Sequence, residues 1–386
     1  MNQQIVTNAK IVTPSGLVEG SVIVEEGKIA DIKKDSYYPG EYDAHGHWLI
    51  PGVIDIHTDY IEKELHPRPS AGFPIELAFH MMDLRALASG LTTVLGAVRI
   101  SNDPWKKGGE LRARSGLALA DEYERMARIS SVRHFMHIRW DTNFEPASVI
   151  VDQLADYSTL GNIVYNENIP GQRQFRSLEE IAVKQAASKG LTVEEAMRQL
   201  KERIEANSAI NNRVEVRDKF SGKVCIGSHD DTTVDHVDEA KEAGATLAEM
   251  PTTMEAARRA KDLGMYVCMG APNYYRGGSH CGNLSCIDAL SEDLVDSLCS
   301  DYHFPSMLGS VVKMIDQGMD PSRAVNLITL GPAKVLGWEE RLGSIEVGKV
   351  ADLTLFEPMK TYGRVEEVWV DGVSKISMKS PDPALV

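Results

Sequence analysis

The sequence predicts an α/β fold: a (β/α)8 barrel of the TIM type, with a small β-sandwich-like domain built from both termini. Three observations carry this expectation. Both ends of the chain are strand-rich, apolar runs alternate with helical stretches between them, and eight such runs occur over about 290 residues. Eight βα units with insertions match a closed barrel better than one doubly wound sheet.

The first 50 residues read as short strands over 11–12, 21–24 and 28–32, with Glu26-Gly27 as a hairpin turn. The last segment has the same character, with strands over 351–356 and 365–370 before Asp371-Gly372. Residues 1–50 and 340–386 are therefore expected to form one β domain, and 51–339 the barrel. Its eight strands are expected at 53–56, 91–98, 133–138, 162–165, 223–227, 246–249, 265–269 and 294–299. The largest insertion, about 177–211, is rich in Ala, Glu, Lys and Leu and reads as helical. Thr192 and Glu195 form a capping box for its second helix.

The 386 residues carry 41 Lys+Arg against 56 Asp+Glu, a formal charge of −15, with 43% hydrophobic residues. Such a composition excludes a disordered chain, and the acidic balance argues against nucleic acid and anionic membranes as partners. The first 20 residues lack the basic end and apolar core of a signal peptide, and no apolar run approaches the ~18 residues of a membrane span. Five cysteines, an odd count without a CxxC pair, suit reduced thiols in a cytoplasmic protein. Cys281 and Cys286 read as buried thiols. A homo-oligomer is compatible with this composition.

The ends of the expected strands carry the chemistry. The first runs into His57-Thr58-Asp59, the third into His137-Ile138-Arg139-Trp140-Asp141, and the fourth into Asn166-Glu167. The fifth ends at Ser228-His229, the sixth at Glu249, and the eighth at Ser300-Asp301. In a barrel these groups converge on one rim. His57 and Asp59 alternate on a strand and so share a face; with His229 and Asp301 they would make a Zn, Mn or Fe type site. Taken singly, each fits a capped turn or a satisfied core histidine equally well, whereas the set at successive strand ends does not.

A second cluster is cationic. Arg68 lies between prolines after the first strand. Gln172 and Arg173 follow the fourth, and Arg276, Gly277, Gly278, Ser279 and His280 follow the seventh. Guanidinium forks suit phosphate oxygens, and a Gly-Gly step lets backbone N–H groups approach an anion. Each segment alone could brace a loop, but three on one rim favour an anionic substrate.

Pro51-Gly52-Val53-Ile54-Asp55-Ile56-His57 and the closing Gly343-Ser344-Ile345-Glu346-Val347-Gly348-Lys349 resemble the two ends of amidohydrolase-superfamily chains. Within that superfamily, Pro170-Gly171-Gln172-Arg173, Ser228-His229-Asp230-Asp231, Met269-Gly270-Ala271-Pro272-Asn273 and Arg276-Gly277-Gly278-Ser279-His280 resemble the alpha-D-ribose 1-methylphosphonate 5-triphosphate diphosphatases of phosphonate metabolism. The resemblance departs at Trp140-Asp141 and at Glu167-Asn168, where that group usually has Cys-Glu and Asp-His.

The resemblance implies a metal-dependent hydrolase that releases pyrophosphate from a small phosphorylated substrate. It would use one or two divalent ions on His57, Asp59, His229 and Asp301, with Glu167 as bridge and Asp141 or Glu249 as lesser candidates. Asp301 and His229 would be catalytic. Arg68, Arg139, Gln172, Arg173, Arg276, Gly277, Gly278, Ser279 and His280 would bind substrate. The alternative is an amidohydrolase acting on a cyclic amide or N-acyl group.

Overall fold

The computed structural model describes residues 3–68, 71–101, 109–142, 147–167, 178–208, 212–279 and 281–378. Five strands open the chain: β1 (Gln3–Thr13), β2 (Gly16–Glu25), β3 (Lys28–Lys34), β4 (Tyr42–Asp43) and β5 (Trp48–Pro51). Eight follow in the middle: β6 (Val53–Thr58), β7 (Leu91–Ile100), β8 (Arg133–Asp141), β9 (Leu160–Asn166), β10 (Cys225–His229), β11 (Leu247–Glu249), β12 (Tyr266–Gly270) and β13 (Ser297–Cys299). Three close it: β14 (Leu353–Pro358), β15 (Gly363–Val370) and β16 (Val373–Ser377).

β6 to β13 lie side by side in chain order as one parallel sheet. The sheet curls until its edges meet. Asp301 N–H donates to the His57 carbonyl at 3.0 Å and Asp59 N–H to the Asp301 carbonyl at 2.7 Å, so β6 and the end of β13 are stitched where the site lies. The buried Asp55 carboxylate accepts from Ser300 N–H at 2.9 Å one layer below. All eight expected barrel strands are present. The last is shorter than its apolar run, and at its start Asp296 meets Val267 twice: its own N–H donates to the Val267 carbonyl at 2.9 Å and its carboxylate accepts the Val267 N–H at 2.8 Å.

Helices cover the outside by the usual burial of one face. In Met254–Asp262, Ala256, Ala257 and Ala260 are buried, and the Thr253 hydroxyl caps the first turn by accepting Ala256 N–H at 3.1 Å. The insertion forms helices Leu178–Lys189 and Val193–Ser208, joined by a small core of Ala182, Ala186, Ala196 and Leu200. Glu195 N–H donates to Thr192 Oγ1 at 3.2 Å, the half of the capping box that the spacing predicts.

The termini meet in a separate sheet of order β16-β15-β14-β5-β1-β2-β3, with β4 beside β1. Its core includes Ile11, Val22, Leu49, Ile345, Leu355 and Trp369. Glu26-Gly27 turns β2 into β3, and Asp371-Gly372 turns β15 into β16; all four residues have positive φ, as type I′ turns require. The two turns touch: a Cβ on Gly27 would stand 2.7 Å from the Asp371 carbonyl oxygen. Arg133, at the start of β8, reaches into this corner. Its guanidinium binds both Asp352 and Asp371, tying barrel to sheet.

Candidate metal centre

Asp55, His57 and Asp59 alternate along and just past β6, so their side chains share the interior face. β8 contributes His137, β10 contributes His229, and β11 ends on Glu249. Within two residues of the ends of three strands the backbone turns through left-handed residues that are not glycine: Asp230, Met250 and Asp301, with φ of 61°, 54° and 55°. Such a conformation costs about 1–3 kcal/mol and re-aims the chain within a single residue. Here it places Asp301 beside Asp59.

Glu249 stands at the middle. Its Oε2 lies 2.9 Å from His57 Nδ1, 3.5 Å from His137 Nε2 and 3.7 Å from His229 Nε2. His57 Nε2 lies 3.8 Å from Asp59 on its other side. Two donor groups therefore share His57: one with His137 and Glu249, the other with Asp59 and Asp301, the atoms of each within 4.8 Å of one another.

Burial raises a carboxylate's pKa, yet the three imidazoles hold Glu249 well below the usual range. Burial pushes His57 down, but the charges of Glu249 and Asp59 outweigh it and raise the ring well above its ordinary value. His137 goes the other way. Burial, joined by the neighbouring His57, depresses it to about 3. Asp301 is raised, chiefly by burial and secondarily by Asp59.

These groups fit a divalent cation. His137 Nδ1–H donates to the Ile56 carbonyl at 3.0 Å, which leaves the Nε2 lone pair facing a carboxylate. Two lone pairs face each other unfavourably unless a cation lies between them. Neither ring nitrogen of His57 and neither oxygen of Glu249 has a hydrogen bond among the described residues, although all are buried. Nitrogen and carboxylate donors at this spacing are the set that binds Zn, Mn or Fe.

A pocket of about 280 Å³ opens above the cluster. Asp59, His229 and Asp301 line it together with Arg139, Arg276 and Ser279. Arg139 lies 3.3 Å from Asp59, and Arg276 donates to Tyr302 Oη at 3.4 Å.

Several expected roles land elsewhere. Gly277 and Gly278 end the helix Ala271–Arg276: Gly277 N–H donates to the Tyr274 carbonyl and Gly278 N–H to the Asn273 carbonyl, at 3.1 and 2.9 Å. Those N–H groups are taken up within the turn and do not face an anion. Glu167 pairs with Arg213 and accepts from Thr142 at 3.3 Å, and it belongs to none of the ligand groups formed among the described residues. Asp141 ends β8 half-buried, its backbone carbonyl accepting from Asn212. Arg68 is exposed and does not line the pocket. Gln172, Arg173 and His280 lie outside the described residues. Cys281 is exposed at the pocket rim, not buried, whereas Cys286 is buried; all five cysteines are free.

Two residues gain weight. His137 carried no expected role, although it precedes Arg139 by two on β8 and so shares its face. Glu249 stood as a lesser candidate and proves central.

The amidohydrolase family pattern matches residues 48–376. The alpha-D-ribose 1-methylphosphonate 5-triphosphate diphosphatase of Escherichia coli (strain K12) is 33% identical over 376 residues, 95% of this chain and 99% of its own. An imidazolonepropionase of Shewanella sediminis (strain HAW-EB3) is 25% identical over 373 residues, 88% and 87% of the respective chains. Among solved structures, the N-acetylglucosamine-6-phosphate deacetylase from Pasteurella multocida superposes with a TM-score of 0.61 at 16% identity, over 97% of this chain and all of that one, a likeness of fold.

Proposed function

The chain belongs to the amidohydrolase family, and on that premise we propose that it hydrolyses the triphosphate of alpha-D-ribose 1-methylphosphonate 5-triphosphate to the 5-phosphate and pyrophosphate. The observation that carries this reading is the company Arg139, Arg276 and Ser279 keep. They share one pocket with Asp59, His229 and Asp301. Two guanidinium groups beside a metal centre suit a polyphosphate, whereas a neutral amide gives them nothing to pair with. The 33% identity to the Escherichia coli diphosphatase over nearly both full lengths supports the same substrate.

His57, His137, His229 and Glu249 would hold one divalent ion, and Asp59 with Asp301 would complete that site or share a second; Zn, Mn and Fe all suit such donors. When bound, such an ion supplies Lewis acidity to water and to a phosphoryl oxygen. Asp301, its carboxyl raised by burial, takes the proton of the attacking water. The water oxygen bonds to the α-phosphorus while the bond from that phosphorus to the α–β bridging oxygen breaks. Arg139 and Arg276 offset the charge gathering on the departing pyrophosphate.

The test is pyrophosphate release from this substrate by protein loaded with Mn or Zn, run beside a panel of cyclic and N-acyl amides. Pyrophosphate from the triphosphate and no amide turnover is the expected result. Amide hydrolysis without pyrophosphate would overturn the assignment.

A further inference from the structure

Ser279, Cys281 and Asn283 line the metal pocket beside Arg276 and so make one of its walls. Among the described residues this wall belongs to no strand or helix, and Gly277 and Gly282 turn it through left-handed φ of 87° and 73°. Holding such a stretch still costs more than holding an ordinary loop, because glycine loses more backbone freedom on ordering than any other residue. The hydrogen bonds that hold it converge on one side chain of the helix before it.

Asn273, third residue of the helix Ala271–Arg276, reaches both ends of the wall. Its backbone carbonyl accepts Gly278 N–H at 2.9 Å where the wall begins. At the far end its Nδ2–H donates to the Leu284 carbonyl at 2.9 Å, and its Oδ1 accepts Cys286 N–H at 3.0 Å. A carbonyl and an N–H as partners fix which end of the amide is which. Leu284 N–H donates to the Thr252 carbonyl at 3.0 Å, and the side chains of Leu284 and Cys286 pack in the barrel's main core, so the far end is tied to the body of the fold. Between these anchors the Ser279 hydroxyl accepts Cys281 N–H at 3.2 Å, which leaves its hydrogen to donate at the pocket. Asn273 borders the same pocket, yet both ends of its amide are engaged by the wall.

We propose that Asn273 is a positioning residue for the polyphosphate: it holds the wall that carries Ser279 where an anionic oxygen beside the metal groups meets it, and it sets substrate affinity without touching the metal. The proposal rests on the diphosphatase reading and deepens it to the residue that shapes the anion-binding wall.

A double-mutant cycle tests it, with inorganic triphosphate titrated calorimetrically into the metal-loaded full chain and into Asn273→Ala, Ser279→Ala and the double variant. Asn273→Ala should weaken binding about tenfold, the loss of two hydrogen bonds, with bound metal at the wild-type level. Ser279→Ala should weaken it about fivefold in the wild-type background and less than about twofold once residue 273 is changed. On the ribose triphosphate the KM of Asn273→Ala should rise while kcat stays within about twofold of wild type. Equal factors for Ser279→Ala in both backgrounds, unchanged binding by Asn273→Ala, a fall in its bound metal, a fall in kcat without a rise in KM, or no binding of triphosphate to wild type overturns the proposal. Asn273→Asp keeps the acceptor for Cys286 N–H and loses only the donor to Leu284, and it goes through the same cycle if Asn273→Ala does not fold. Should wild type release no pyrophosphate while the binding cycle shows the coupling, the diphosphatase reading has failed and the role of Asn273 in anion binding stands.

Discussion

A carboxylate enclosed by three imidazoles cannot gain a proton or lose its charge without altering all three rings. Glu249 is in that position. Glu249→Gln should therefore strip the protein of metal and lower turnover by more than the ~10–100-fold that follows loss of an outer partner. Metal content of the purified variant beside its activity checks this; full occupancy with unchanged rate would sink Glu249 as a ligand. A second residue-scale prediction concerns Asp83, buried on the helix Ile75–Ala88, which accepts the N–H groups of Ser131 and Val132 at 3.0 and 2.9 Å and meets His134 at 3.1 Å. Burial pushes its carboxyl up, but His134 and those N–H groups hold it below the usual value. The folded pKa lies under the unfolded one of about 3.9, so the stabilisation is full above that pH and is lost as pH falls through the folded value. Asp83→Asn should cost about 1–3 kcal/mol at pH 7 and converge on wild type once the pH has fallen below the folded value, as read by urea melts across pH. Legibility follows the same physics. His57 and Asp59 could be paired from sequence because alternation on one strand fixes a common face. Glu249 ends a strand of three residues, too short for alternation to show a direction, and Glu167 is claimed by Arg213, 46 residues later, which no local pattern announces.

At the scale of elements, spacing announces caps better than it announces what a cap does. The Thr192 cap was readable because Thr192 stands three positions before Glu195 at the head of a helical run. Thr192→Ala should loosen the first turn of Val193–Ser208 by about 1 kcal/mol, seen as faster amide exchange there with the barrel amides unchanged. Equal exchange would mean that packing against Leu178–Lys189 alone holds the turn. The Gly277-Gly278 step shows the opposite case. Its sequence suits an anion nest and a helix terminus equally, and the choice depends on whether the carbonyls of Asn273 and Tyr274 need partners. Six residues of helix leave them unsatisfied, so they claim both N–H groups.

Across the whole molecule, barrel and terminal sheet were both legible, since alternating apolar and helical runs and strand-turn signals are local in the chain. How the two bodies join was not. Arg133 is one of the ties, beside the Thr354 hydroxyl that donates to the Gly90 carbonyl and the packing of Phe356 and Val368 into the barrel's core, and its partners Asp352 and Asp371 lie more than 200 residues away. Asp352 is nearly buried; burial raises its carboxyl, and Arg133 opposes that rise. Arg133→Gln leaves this charge without its cation and should cost about 3–5 kcal/mol, visible as a lower melting temperature. The double variant with Asp352→Asn should recover part of it, and a single variant melting like wild type would exclude the clamp. The pairing of β5 with β14 has a further consequence, for the order of events in synthesis. Pro51 meets Leu353 about 300 residues later, a closure that is thermodynamically cheap, since each doubling of loop length costs only ~0.6 kcal/mol. The delay is the greater burden. Until the C-terminal hairpin leaves the ribosome, β5 presents an open edge with Leu49 and Ile50 unprotected, and that is the interval in which a nascent chain is most exposed to pairing with its neighbours.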